Sequence, residues 1–196
     1  MEQTKAPKLI LASASPRRQA LLAQVGLEFE VIPSSIDEVM PPKGLPELIA
    51  TSLAEQKAMD VALRVGEGIV IAADTVVALD DSILGKPKNE DEARKMLERL
   101  SNKWHRVFTG IAVIDAASFK KVSDYEESRV KFKALSASEI ENYIKTGEPM
   151  DKAGGYGIQG KGALLVEKIE GCYYNIVGLP LFKLGCLLSS FGIKIL

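Results

Sequence analysis

Apolar residues come in short blocks along this chain, and a turn or capping signal closes each block. Residues 8–12, "KLILA", form a continuous apolar run and predict a short strand. Ser15 follows at an N-cap position with Pro16 at N1, where its missing N–H costs nothing. The helix this opens runs to about Val25 and stops at Gly26, a residue suited to the left-handed C′ position. Residues 29–33 predict a second strand, and "SSIDE" follows it in a loop. Pro41, Pro42, Gly44 and Pro46 mark a connection into a long helix over about 47–64. An apolar β run at 69–73 is interrupted by Asp74 and resumes at 76–79. "DD" then makes a turn into a short return strand, "SILGKP".

The second half is punctuated differently. Asn89 with Glu92, and Ser136 with Glu139, have capping-box spacing and open helices ending near Leu100 and Gly147. Between them, residues 106–115 and 122–133 predict two long antiparallel strands joined by a turn near Ala117. A glycine-rich loop, "DKAGGYGIQGKG", precedes a predicted strand at 163–168, a turn and another short strand. A C-terminal helix starts near Pro180. The order is β-α-β-α-β, then hairpins, then α-β-β-α. It predicts an α/β fold with a mixed sheet flanked by helices rather than a purely doubly wound one.

Composition narrows the class. At 196 residues the chain suits one sizeable domain spanning 1–196, with no linker or repeat to divide it. A net charge of −1 gives no general attraction to nucleic acid or to an anionic membrane, so positive charge for an anionic ligand must be local. The N-terminus lacks the layout of a signal peptide, and no apolar run approaches the ~18 residues of a membrane span. Cys172 and Cys186 lack metal-ligand spacing and fall in apolar segments, so they are expected as reduced core thiols of a cytoplasmic protein.

Against this background a few residues are misplaced. Arg17 and Arg18 open the first helix, at the end where its dipole disfavours cations. They are either a solvated pair or half of an anion site, completed by free helix N–H groups and the hydroxyls of Ser13 and Ser15. Phosphate suits such a site, because arginine binds it bidentately. Asp74 lies inside an apolar segment, where a charge costs several kcal/mol unless paired or metal-bound. Lys57 continues the line of Ile49 and Leu53 at i, i+4 spacing, so it either snorkels or points an ammonium into a cleft. Lys86, in "GKP", ends a short strand between a small residue and a stiff one. Asp37 and Glu38, after the second strand, are an acidic loop pair that is either a set of metal ligands or a solvated pair with no role.

Two tempting motifs fail. "GYGIQG" spells a dinucleotide fingerprint, but a loop precedes it and a strand follows, the reverse of what that site needs. The one histidine, His105, has no candidate nucleophile beside it for a triad.

Taken together, "LASASPRRQALL", "IDE", "EQKA", "AADTVV", "GKP", "HRVFTG", "DKAGGYGIQGKG" and "YNIVGLPL" resemble the Maf family of nucleotide pyrophosphatases, also called septum formation inhibitors. The match runs over essentially the whole chain. The resemblance implies hydrolysis of a nucleoside triphosphate to the monophosphate and pyrophosphate, assisted by a divalent cation such as Mg²⁺ or Mn²⁺. It implies a mixed, strongly twisted sheet in two lobes around a central cleft, similar to inosine triphosphate pyrophosphatases, and a homodimer. It assigns the proton acceptor to Asp74, substrate binding to Ser13, Arg18, Lys57 and Lys86, and metal binding to Glu38 with Asp74.

Within the family, Arg17, Thr75 and Gln159 resemble the branch that prefers dTTP and UTP. A branch preferring 7-methyl-GTP carries Trp, Gln and Glu at those places. The chemistry agrees. Uracil and thymine present two carbonyl acceptors around an N3–H donor, and a glutamine amide offers one donor and one acceptor. The expected substrates are therefore dTTP, UTP and modified pyrimidine nucleotides. Two other readings are a non-catalytic nucleotide-binding regulator of cell division and a purine pyrophosphatase of the inosine triphosphate type.

Overall fold

The computed structural model describes residues 7–36 and 44–196. Its seven-stranded sheet has the order β2-β1-β3-β5-β6-β7, with β4 on β3. Strands β1 (Leu9–Leu11), β2 (Glu30–Val31) and β3 (Ile69–Leu79) are mutually parallel where they pair. Every other pairing is antiparallel: β4 (Ser82–Leu84) on β3, then β5 (Trp104–Asp115), β6 (Lys121–Phe132) and β7 (Val166–Gly171). The predicted mixed sheet with flanking helices is the observed architecture.

Helices α1 (Pro16–Gln24) and α2 (Pro46–Val65) make the two parallel crossovers and pack on opposite faces. Alternation along β3 shows how the layers form. Ile69, Ile71 and Ala73 pack under α1 and the C-terminal helix α6 (Leu181–Ser189). Val77 and Leu79, on the same face further along, pack instead under α3 (Glu90–Leu100) and α4 (Ala137–Ile144). Among the described residues, the other face of β3, from Val70 to Ala78, is covered by the long helix α2. The first face instead carries two separate helix layers with a gap between them.

The close seat of α2 depends on Gly110 of β5. A Cβ there would lie 2.3 Å from the carbonyl of Ala50 in α2. Gly110 is the register partner of Asp74, so this close seat of helix on sheet falls beside that carboxylate.

Several local expectations are corrected. Strand β3 runs through Asp74 without a break. The predicted strand at 29–33 shrinks to Glu30–Val31. The strand expected at 163–168 begins only at Val166, because the Glu148 carboxylate accepts from the N–H groups of Lys161 and Gly162 and holds Gly160–Leu165 in 3-10 turns. The short strand expected next is helix α5 (Tyr173–Val177). Ser136 and Glu139 form a full capping box. Asn89 caps the Glu92 N–H, but the Glu92 carboxylate turns to the N–H of Lys88 instead. Neither cysteine is in the core. Leu184, Leu187 and Leu188 form the inward stripe of α6, which leaves Cys186 exposed, and Cys172 is half-buried. No helix among the described residues is long and apolar enough to cross a membrane.

His105 has no free surface for chemistry. It is buried in β5, its Nε2 lies 2.7 Å from the Tyr156 hydroxyl, and Phe132 meets its ring edge-on. Burial lowers its pKa to about 4. The unfolded chain takes up this proton near pH 6.5, whereas the folded protein refuses it until about pH 4. The stability that this neutral histidine contributes is therefore present above about pH 6.5 and is lost as the pH drops toward 4. Acidification from about pH 6.5 to about pH 5 should cost about 1.5 kcal/mol through this residue. His105 is the one histidine, so His105→Gln should flatten the dependence of Tm on pH over that interval in thermal melts.

Candidate active site

The cleft sits where β3 has an open edge. On that edge β1 pairs with Ile69–Ile71, and β4 pairs with Val77–Leu79. Between these pairings residues 72–76 have no strand partner on that side among the described residues. Adjacent residues of a strand point to opposite faces, so Asp74 turns toward α2 and Thr75 toward α1. Both still reach the gap, because no strand fills it. The connection from β1 into α1 lies at the carboxyl end of a parallel strand, where open α/β sheets bind ligands.

The cleft encloses about 730 Å³, within the range of small-molecule sites. Its lining contains Ser13, Arg17, Arg18, Lys57, Asp74, Thr75, Lys86 and Gln159. Every site residue expected from the sequence is therefore brought to one place, except Glu38, which lies outside the described residues with Asp37. Among the described residues, five cationic side chains (Arg17, Arg18, Lys57, Lys86 and Lys152) and three carboxylates (Asp74, Glu148 and Asp151) line the cleft. In a chain of net charge −1, this local excess of positive charge suits an anionic ligand.

The start of α1 is built for such a ligand. Ser15 occupies the N-cap, but its side chain makes no capping bond, so it does not consume the first helix N–H groups. The Ser13 hydroxyl oxygen accepts from the Ser15 N–H and from Arg18 Nη1. Its two lone pairs are then taken, and its O–H is the donor it can offer an anion. Arg18 Nε donates to the Gly178 carbonyl at 2.8 Å, and Nη2 donates to Thr75 Oγ1 at 3.3 Å. These bonds, which engage all three nitrogens, fix the plane of the guanidinium.

Asp74 and Lys57 are paired across the face of the sheet, with Nζ donating to Oδ1. Their side chains are only 13% and 14% exposed. The pair offsets the cost of burying either charge alone. It also decides between the two readings of Lys57, whose ammonium enters the cleft rather than snorkelling to the surface. Lys86 stays exposed just after β4. The neighbouring Gly85 carbonyl accepts from the Gly154 N–H, which ties this segment to the glycine-rich loop.

The far wall was poorly legible. Glu148, Asp151, Lys152 and Tyr156 line the cleft, and the sequence reading assigned none of them. Their one signal was three charges within positions 148–152, directly before the glycine-rich loop. Arg17 reaches across to Asp151 at 3.7 Å. The Glu148 carboxylate, bonded to the N–H groups of Lys161 and Gly162, and the Tyr143 hydroxyl, bonded to the N–H of Gly157, brace the loop that carries Gln159.

No group of three His, Cys, Asp or Glu side chains that could hold a metal ion exists among the described residues. An ion of the Mg²⁺ type, held by one or two carboxylates and the phosphates of its nucleotide, needs no such cage. Asp74, an oxygen donor inside the cleft, fits that manner of binding.

Comparison with known proteins agrees with this geometry. The family model described as Maf-like protein matches residues 8–191. A protein of Caldicellulosiruptor saccharolyticus named dTTP/UTP pyrophosphatase is 51% identical over 189 residues, covering 94% of this chain and 95% of the relative. One of the same name from Clostridioides difficile is 54% identical over 183 residues, covering 93% and 94%. Among solved structures, the Staphylococcus aureus Ham1 protein superposes with a TM-score of 0.50 at 15% identity, covering 81% of this chain and 79% of that one. That likeness shows a shared fold.

Proposed function

The chain belongs to the Maf-like protein family, and from that premise we propose that it is a hydrolase that converts dTTP and UTP to the nucleoside monophosphate and pyrophosphate. The observation that carries the reading is one cleft holding a paired carboxylate, Asp74, among the cationic side chains Arg17, Arg18, Lys57, Lys86 and Lys152, in a chain half identical to dTTP/UTP pyrophosphatases over nearly its whole length. A purely regulatory nucleotide-binding role is not favoured, because these relatives are named as enzymes.

In this reading Arg18, Lys57, Lys86 and the Ser13 hydroxyl hold the triphosphate. Water attacks the α-phosphorus, Asp74 takes its proton, and pyrophosphate leaves. The fixed cations stabilise charge as it develops on the phosphate oxygens. Asp74 and Glu38 would hold Mg²⁺ or Mn²⁺ together with the phosphates, and the bound ion would offset phosphate charge. Gln159 pairs with the edge of the base through its amide donor and acceptor, and Arg17 donates to a base carbonyl. Thr75 completes the specificity set. Modified pyrimidine nucleotides meet the same donors and acceptors. Residues 1–196 act as one domain, two lobes around this cleft, in the cytoplasm and as a homodimer.

A nucleotide panel with Mg²⁺ or Mn²⁺, resolved by chromatography, tests the reading. dTTP and UTP should be consumed faster than CTP or the purine triphosphates, with pyrophosphate as co-product. Faster use of inosine triphosphate would contradict it. Arg17→Trp combined with Gln159→Glu should lower kcat/KM for UTP about tenfold or more, and an unchanged base preference would remove both residues from the specificity set.

A further inference from the structure

One buried group near the cleft has no place in the reaction as written: Thr109. It sits in the middle of β5, fully buried, as the direct register partner of Thr75. Its hydroxyl lies 2.9 Å from the Asn175 carbonyl and 2.8 Å from Thr75 Oγ1.

The direction of these bonds is forced. A carbonyl only accepts, so the single Thr109 hydrogen goes to Asn175. The Thr75 hydroxyl must then donate to Thr109 Oγ1, which leaves Thr75 with lone pairs to offer on its other side. Arg18 Nη2, a donor only, meets them there. The result is a directed chain: Arg18 to Thr75, Thr75 to Thr109, Thr109 to the carbonyl of Asn175.

The far end of the chain is rigid. Asn175 is fully buried, and its Nδ2 donates to the Val107 carbonyl and to Ser128 Oγ. Ser128 Oγ in turn donates to the Cys172 carbonyl and accepts from the Cys172 N–H. Helix α5 is thereby tied to both β5 and β6. Just past it, the Gly178 carbonyl takes Arg18 Nε. The guanidinium is thus gripped on two of its nitrogens by one anchored segment, once directly and once through the two threonines.

We propose that Thr109 is a positioning residue, one that fixes the polarity of the Thr75 hydroxyl and so orients Arg18 toward the substrate's phosphates. This rests on the reading of Arg18 as a phosphate-holding residue. It also gives Thr75 a second role: beside its place in the specificity set, it holds the arginine that meets the phosphates.

Thr109→Val tests this, since it exchanges the hydroxyl for a methyl of similar shape. With dTTP as substrate and Mg²⁺ present, kcat/KM should fall about tenfold, and Thr109→Ser should restore most of it. The deciding measurement is a double-mutant cycle with Arg18→Ala. If Thr109 acts through Arg18, Thr109→Val should cost little further once Arg18 is gone. Full additivity in the cycle would overturn the inference, as would a folded Thr109→Val enzyme of undiminished kcat/KM. Should Thr109→Val fail to fold by circular dichroism, Thr75→Val breaks the same chain from its other hydroxyl and enters the same cycle with the same two outcomes. The underlying reading fails separately, if Arg18→Ala alone leaves kcat/KM unchanged.

Discussion

Asp74→Asn should lower kcat for dTTP and UTP by roughly 10²-fold or more while the protein stays folded. The substitution keeps the shape of the side chain and an oxygen that can still accept from Lys57 Nζ, the bond seen at Oδ1. It removes the capacity to take a proton from water. The effect should therefore fall chiefly on kcat, with a smaller rise in KM from the loss of one of the two carboxylates assigned to the metal ion, because the nucleotide itself is held by the cations and by Ser13. Steady-state kinetics with circular dichroism on the same preparation separates the cases. A folded variant with normal kcat would strip Asp74 of its role as proton acceptor.

The largest effect on stability is expected at Gly110. A Cβ at this position would lie 2.3 Å from the carbonyl carbon and oxygen of Ala50 and 2.4 Å from the Thr51 nitrogen, all of them backbone atoms of α2. No side-chain rotation relieves such a contact, so α2 must lift from the sheet. Gly110→Ala should cost about 3 kcal/mol or more, a drop in Tm of roughly 6–12 °C for a chain of this size. Activity should fall as well, because α2 carries Lys57 and Gly110 lies opposite Asp74. Gly185 gives the opposite expectation. It lies inside α6, and a Cβ there would meet only Ile195 at 3.9 Å, so Gly185→Ala should be neutral or slightly stabilising. Thermal melts of the two variants check both, and equal Tm values would contradict the packing argument.

Why some features were legible in the sequence and others were not follows from the range of the forces involved. The long helices and strands are written in local periodicity and caps, and Ser136 with Glu139 forms its box as expected. Asp74 and Lys57 stood out because each places a charge where its neighbours are apolar, a conflict that only a partner across the fold resolves. At Arg17 and Arg18 the misplaced charge is compatible with either a solvated pair or an anion site. The assignment of one arginine to phosphate and the other to the base came from family resemblance.

The failures share a cause. Residues 163–165 have strand-like composition, but Glu148 bends the chain there from a distance in sequence. Cys186 sits in an apolar segment, yet the phase of α6 turns it outward. The open edge of β3 that makes the cleft depends on β1 and β4 pairing with different stretches of one strand, which no local pattern encodes. Thr109 looked like an ordinary strand residue, and only the register opposite Thr75 reveals its bond.

In this reading the cleft directs water to the α-phosphorus of a pyrimidine nucleoside triphosphate. Turnover of UTP in ¹⁸O-enriched water, with Mg²⁺ and mass analysis of the products, tests it most directly. The expected products are UMP carrying one ¹⁸O and unlabelled pyrophosphate. UDP with labelled orthophosphate, UMP with labelled pyrophosphate, or no turnover at all would contradict it.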